Sequence, residues 1–172
     1  MKTYGSEPGA PETDPVRVGI SEFAISDTGQ QMKSYGLGSC IAVALWDPTV
    51  EVGGLAHVML PHGDDRDGDD RKPAKFADAA VRTMLRQMVE LGGDYTAVEA
   101  KIAGGSDMFE FDSFDEGVGE RNVEAARAEL DRLGVPVVAE DVGGSGGRTV
   151  EFDTTDGTLS VHSPDADDPI EL

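Results

Sequence analysis

One cysteine and one histidine of this chain have types and positions that suit nucleophilic catalysis. Cys40 is the only cysteine and ends the stretch Tyr35-Gly-Leu-Gly-Ser-Cys40, and His57 lies in the next apolar segment. A neighbouring imidazole can take the proton of a thiol and leave a thiolate, which is the nucleophilic form of cysteine. The two residues are therefore candidates for attack on a carbonyl carbon.

Two apolar runs, 41–46 and 53–60, are the elements that must position this pair. The Asp-Pro step after the first run is typical of a turn, so the runs are predicted to form a β-hairpin. A four-residue loop over 47–50 would place Cys40 directly opposite His57 on one face of the sheet. A shift of one residue in this register would separate them.

The residues before the cysteine suggest how the rest of such a site could be built. Gly36 leaves space before the sulfur, and the backbone N–H groups of Gly38 and Ser39 could hold the oxyanion of a tetrahedral intermediate. A catalytic imidazole also needs a group that fixes its tautomer. The hydroxyl of Ser34 is the candidate, provided that the following turn folds it back towards the imidazole.

Other interpretations of the same residues stay open. A lone cysteine among apolar residues is most often an inert part of a core, and a lone histidine in a strand is usually structural. One Cys and three His show no metal-ligand spacing, and the glycine runs 104–105 and 143–147 do not fit a phosphate loop. The aspartates of the loop 62–73 lack the order of a calcium loop. Neither a metal nor an organic cofactor is expected.

Composition narrows the class of protein. The chain has 172 residues, 34 of them acidic and 14 basic, for a net charge of −20. Such a charge repels nucleic acids and anionic membranes. A single cysteine excludes a disulfide framework and fits the reducing cytoplasm, and no segment is apolar enough to predict membrane insertion. Acidic residues spread along the whole chain are typical of a halophilic protein.

The segment patterns predict an α/β layered sandwich with a mixed or antiparallel sheet and two main helices. One helix is expected over 74–91, and the other from Asn122 as N-cap to about residue 133. Residues 1–16 are expected to be a flexible leader, 17–162 a single domain and 163–172 a loose acidic tail. Further strands are expected at 18–25, 98–102, 135–139, 149–152 and 158–162.

Six sequence blocks resemble, in order, the chemoreceptor glutamine deamidase family CheD. They are Gly36-Leu-Gly-Ser-Cys-Ile-Ala-Val, Gly54-Leu-Ala-His-Val-Met-Leu-Pro61, Lys75-Phe-Ala-Asp78, Lys101-Ile-Ala-Gly-Gly-Ser-Asp-Met-Phe109, Gly119-Glu-Arg-Asn122, and Asp141-Val-Gly-Gly144 with Gly147-Arg148. The resemblance implies an α/β sandwich with a Cys-His-Thr triad. The family cysteine falls on Cys40, the histidine on His57, and the threonine on Ser34, which departs from the pattern.

The resemblance also implies a reaction and partners. The family hydrolyses glutamine side-chain amides of methyl-accepting chemotaxis receptors to glutamate and ammonia, without a cofactor, and binds the CheC-type phosphatase. Cys40 would then be the nucleophile and His57 the acid–base group. The alternative is a regulatory binding partner of that phosphatase whose catalytic role is secondary or lost.

Overall fold

The computed structural model describes residues 14–63, 72–107 and 117–172. Two short 3₁₀ helices, Pro73–Lys75 and Tyr95–Ala97, accompany the regular elements. In chain order these are β1 (Val16–Arg17), β2 (Phe23–Ser26), β3 (Gln31–Leu37), β4 (Ile41–Asp47), β5 (Val52–Val58), α1 (Ala77–Glu90), β6 (Glu99–Gly104), α2 (Val118–Arg132), β7 (Val137–Val142), β8 (Arg148–Asp153), β9 (Thr158–His162) and β10 (Ile170–Glu171). The proposed leader 1–16 lies largely outside the described residues, as does most of the 62–73 loop.

The strands form two five-stranded sheets. We call the sheet with strand order β2-β5-β4-β6-β7 the inner sheet and the one with order β1-β3-β8-β9-β10 the outer sheet. Each sheet is mixed, since β6–β7 and β1–β3 are parallel pairs among antiparallel ones. Both helices contact the inner sheet, on the face away from the outer sheet. The predicted α/β layered sandwich with two main helices is therefore confirmed, with the strands divided between two sheets.

The inner strand β4 shows why its sequence is almost continuously apolar. Ile41, Val43 and Leu45 belong to the core beneath the helices, whereas Ala42 and Ala44 belong to the core between the sheets. A strand covered on both faces buries every side chain, so the alternation of polar and apolar residues disappears. The alanines are small enough to let the two sheets approach closely on the face that carries the candidate site.

The β4–β5 hairpin has a different register from the predicted one. The pairs are Asp47 with Val52 and Ala42 with His57, so Cys40 is not directly opposite His57. The loop starts one residue later because the Asp47 carboxylate accepts hydrogen bonds from the backbone N–H of Thr49 at 2.8 Å and of Asp94 at 2.6 Å. The register is displaced by two residues, which preserves the face of the sheet.

Several element boundaries also differ from the predicted ones. Of the first strand expected at 18–25, only the second half is a strand, β2, while β1 precedes the expected range; the sequence patterns missed β3 altogether. Helix α2 begins at Val118 with Gly117 as its N-cap, so Asn122 is not the cap. The tail at 163–172, which was expected to be loose, contains strand β10. This strand pairs with β9, and Leu172 exchanges backbone hydrogen bonds with Leu159.

Candidate active site

Ser34 and His57 meet between the two sheets. Ser34 lies on β3 of the outer sheet, His57 on β5 of the inner sheet, and both side chains are fully buried. The Oγ of Ser34 is 2.8 Å from Nδ1 of His57 and 2.6 Å from the carbonyl oxygen of Val18. The contact joins a strand of one sheet to a strand of the other, so sheet packing sets the position of the imidazole.

The bond to Val18 decides which nitrogen of His57 carries the proton. A serine hydroxyl has one hydrogen, and a carbonyl oxygen can only accept. The Ser34 hydroxyl therefore donates to Val18 O and accepts from His57 Nδ1–H. In the neutral ring this leaves Nε2 with its lone pair. The arrangement selects the tautomer that a general base needs.

Burial keeps that imidazole neutral at rest. The buried position lowers the pKa of His57 to about 4, because the charged form loses its hydration. Among the described residues, Nε2 has no hydrogen-bond partner although it is buried. Near neutral pH His57 is therefore an uncharged base with an unused acceptor atom.

Cys40 lies on the same side of the inner sheet as this base. It directly precedes β4, is partly exposed and packs against the core between the sheets. Because Ala42 pairs with His57, Cys40 is two residues further along and diagonal to the imidazole. Burial raises the pKa of the Cys40 thiol. The resting pair is thus a neutral thiol and a neutral imidazole.

The backbone before β4 is held from one side by the segment that follows β6 and by α2. Three successive carbonyl oxygens each accept a hydrogen bond. The pairs are Ser106 N–H to Gly38 O at 2.9 Å, Asn122 Nδ2 to Ser39 O at 2.8 Å, and Gly105 N–H to Cys40 O at 2.9 Å. These contacts fix the peptide planes that surround the nucleophile.

The orientation of these planes bears on oxyanion binding. The chain has no cis peptide among the residues described, and in a trans peptide the N–H points opposite to the C=O. The Ser39 and Cys40 N–H groups therefore point away from the residues that hold Gly38 O and Ser39 O. Neither N–H has an acceptor within the described parts of the chain. The Gly38 N–H, by contrast, donates to Gly36 O at 3.1 Å.

Two glycines permit the close contacts that brace this backbone. A Cβ on Gly104 would lie 2.5 Å from Cys40 O, and a Cβ on Gly119 would lie 2.5 Å from Gly105 O. Neither separation is tolerated by real side chains. Helix α2 can therefore press against residues 104–106, and these against Cys40, only because both positions are glycine.

The structure brings together Ser34 and His57 and places Cys40 on the same face of the sheet, diagonal to His57, but it adds residues that the sequence patterns missed. Asn122 and Ser106 are both fully buried, and both bond to the backbone just before Cys40. Each of them belongs to one of the six sequence blocks, but residue spacing alone could not indicate that it supports the backbone before Cys40. Within the described residues no group of three or more His, Cys, Asp or Glu side chains could hold a metal ion.

Comparisons with known proteins agree on one family. Residues 59–163 match the family model described as CheD chemotactic sensory transduction. A Haloarcula marismortui protein named probable chemoreceptor glutamine deamidase CheD is 42% identical over 97% of this chain and 98% of its own length. A Thermotoga maritima chemoreceptor glutamine deamidase CheD is 40% identical over 90% of this chain and 96% of its own.

An Archaeoglobus fulgidus protein named probable chemoreceptor glutamine deamidase CheD is 44% identical over 85% of this chain and 91% of its own length. Among the residues that the structure describes, no helix is both long and apolar enough to cross a membrane. The family-model match begins after Ser34, Cys40 and His57, so the part of the chain that holds these residues is covered by the full-length relatives.

Proposed function

This chain belongs to the CheD family, and from that premise we propose that it is a cysteine-dependent protein-glutamine deamidase acting on chemotaxis receptors in the cytoplasm. Relatives over most of its length are named chemoreceptor glutamine deamidases. One structural observation supports the chemistry above all. The Ser34 hydroxyl, anchored on Val18 O, leaves the unprotonated Nε2 of His57 on the face that carries Cys40.

The first step is attack on the glutamine side chain. Cys40 Sγ forms a bond to Cδ of the amide while the thiol proton passes to Nε2 of His57, and the carbonyl electron pair moves to the oxygen. The transfer creates a positive imidazolium as negative charge develops on the oxygen. The Ser34 oxygen, which accepts from Nδ1–H, stabilises the imidazolium form.

Backbone N–H groups would hold the resulting oxyanion. We assign this role to Ser39 and Cys40, whose N–H groups have no acceptor among the described residues. The sequence had suggested Gly38 with Ser39, and the family resemblance implied the backbone N–H groups near Ser39 and Cys40. The Gly38 N–H is already bonded to Gly36 O, so Gly38 instead shapes the turn that presents the other two.

The remaining steps release the products. The imidazolium gives its proton to the leaving nitrogen, the Cδ–N bond breaks, and ammonia departs from a γ-glutamyl thioester. His57 then takes a proton from water, whose oxygen attacks the thioester carbon. The Cδ–S bond breaks, His57 returns that proton to the sulfur, and the carboxylic acid formed loses its remaining proton to the solvent or to ammonia, which gives glutamate and the thiol. His57 thus carries the proton transferred in each half of the cycle.

A second candidate function is regulatory binding of a CheC-type phosphatase. Met59, two residues after His57 on the chain, is a large apolar side chain that is 41% exposed, so an apolar surface lies at the end of β5 next to the candidate site. Such a surface suits a docked protein, whether a receptor or a phosphatase. Binding at this face would bring the partner over Cys40, so the two roles would compete.

Ammonia release from a receptor cytoplasmic fragment of the host, in high salt, tests the deamidase proposal. The wild-type protein should release ammonia and convert glutamine to glutamate, as detected by mass spectrometry. Cys40→Ala should lose at least about 10³-fold in rate, because no other described thiol can replace the nucleophile. The alanine variant should keep the wild-type circular dichroism spectrum, since Cys40 is only partly buried.

The contrary result is equally clear. Release that persists in Cys40→Ala would exclude the thiol mechanism. A folded wild-type protein that releases no ammonia from any host receptor would favour the phosphatase-binding role, with Cys40 and His57 as parts of its docking surface.

A further inference from the structure

Asn122 is a buried polar residue that the proposed reaction does not use. It is the only asparagine of the chain and the fifth residue of α2, and its side chain is fully buried. Its Nδ2 donates to Ser39 O at 2.8 Å and to Met59 O at 3.1 Å. One side-chain amide thus joins the residue before Cys40 to the residue two positions after His57.

The orientation of the Asn122 amide follows from its neighbours. Both facing atoms are carbonyl oxygens, which can only accept, so the NH₂ group must face them. The other end, Oδ1, is buried and has no partner within the described residues. An orphaned buried acceptor costs on the order of 1–3 kcal/mol. This cost argues against overall stability as the reason for an asparagine here.

The two hydrogen bonds act on two parts of the site. The bond to Ser39 O fixes the Ser39–Cys40 peptide plane, and because that peptide is trans, it also sets the direction of the Cys40 N–H. The bond to Met59 O holds the end of β5 against the segment before β4. That second bond limits how far the imidazole strand and the thiol can move apart.

We infer that Asn122 is a positioning residue for Cys40, which aims the Cys40 N–H at the oxyanion and keeps the thiol in register with His57. The inference rests on the proposed deamidase function for its kinetic test but not for its chemical one. If Asn122 had a purely structural role, the loss of activity in each variant would be explained by its loss of folding stability.

Three variants distinguish a positioning role of Asn122 from a purely structural one. Asn122→Ala removes both hydrogen bonds, and Asn122→Asp keeps the shape while replacing the donor by an oxygen that faces two carbonyls. Leu130→Ala is the matched control, because Leu130 is also fully buried on α2 but packs in the core beneath the helices. All three should lower the melting temperature, so kinetics are measured where each variant is folded.

With a receptor fragment as substrate, both Asn122 variants should lower kcat by about 10²–10³-fold, the usual effect of losing one oxyanion donor. KM should stay within about threefold, because an oxyanion donor stabilises the transition state rather than the bound glutamine. Leu130→Ala should keep the wild-type kcat. Wild-type kcat in Asn122→Ala, or an equal loss in Leu130→Ala, would overturn the inference.

Alkylation of Cys40 by iodoacetamide gives a readout without the receptor. The rate is measured across the pH range in which thiols ionise, with His57→Ala as reference. If Asn122 holds Cys40 beside His57, the pH profile of Asn122→Ala should move towards that of His57→Ala, whereas Leu130→Ala should match the wild type. If the wild-type protein proves inactive on receptors, that inactivity refutes only the proposed deamidase function. The alkylation profile then tests the positioning role of Asn122 by itself. An unshifted profile would then overturn the role of Asn122.

Discussion

At the scale of single residues, the Ser34 hydroxyl decides what the imidazole can do. Threonine in this place would carry a methyl group that restricts its rotamer, and serine lacks it. Here two hydrogen bonds, to Val18 O and from His57 Nδ1, fix the buried hydroxyl instead. Serine can therefore perform the orienting role, because its partners supply the restraint that the methyl would give.

Substitution of Ser34 tests this role. Ser34→Ala should lower kcat by about 10²-fold, because the tautomer is no longer selected and the imidazolium loses its acceptor. Ser34→Thr, which keeps the oxygen, should retain activity within about tenfold. Wild-type kcat in Ser34→Ala would exclude an orienting function.

The pH dependence of the wild type reports on His57. The value of kcat/KM should fall as pH drops towards about 4, where His57 becomes protonated and cannot accept the thiol proton.

The sequence could predict the side chains of this site but not its backbone partners. Cys40, His57 and Ser34 were identifiable because thiol, imidazole and hydroxyl groups have distinctive chemistry. Val18 contributes only its carbonyl oxygen, which every residue has, and it does so from 16 positions away in the chain. No local pattern can indicate such a contact, because it depends on how two sheets pack.

At the scale of elements, the start of α2 and the end of β6 form one unit that supports the nucleophile. Gly119 brings the helix against residues 105 and 106, and these residues bond the backbone before β4. The sequence patterns placed the helix start near Asn122 because asparagine is a favoured N-cap. The helix begins earlier, at Val118, since contact with Gly105 and Ser106 outweighs that local preference.

The contact predicts an unusual response to a glycine substitution. Gly119→Ala should gain up to about 1 kcal/mol in helix propensity but cost about 1–3 kcal/mol through the clash of its Cβ with Gly105. The melting temperature should fall, and kcat should fall further than stability explains, because the residues that hold Cys40 shift. Gly146→Ala is the matched control, because no atom lies within 4 Å of its added Cβ. Equal behaviour of the two variants would contradict the close approach.

The hairpin shows how far register can be predicted from sequence. Two apolar runs and a proline correctly predicted the β4–β5 pair and the face shared by Cys40 and His57. The number of loop residues was also correct. Their position was wrong by one, because the Asp47 carboxylate bonds to Asp94, 47 residues later. A tertiary contact of that kind fixes a register that local turn preferences leave open.

At the scale of the whole molecule, the charge of −20 opposes the packing of two sheets and two helices. Among the described residues, several of the few basic side chains are paired with nearby acids, as in Lys33–Glu151 and Arg148–Asp141. Most of the excess negative charge must therefore be screened by the solvent. Concentrated salt shortens the Debye length to about 3 Å at 1 M and so removes the repulsion between exposed carboxylates.

This balance predicts that the fold and its activity require about molar salt. Trp46, the only tryptophan, reports on the packing of the sheets because its Nε1 donates to Thr154 O of the β8–β9 turn, and its ring lies against Gly157. On dilution from molar potassium chloride, its fluorescence should shift towards that of an exposed indole as the outer sheet separates. Sucrose, which carries no charge, should protect far less than salt. A full circular dichroism signal and unchanged Trp46 emission in dilute buffer would show that hydrophobic burial alone outweighs the repulsion.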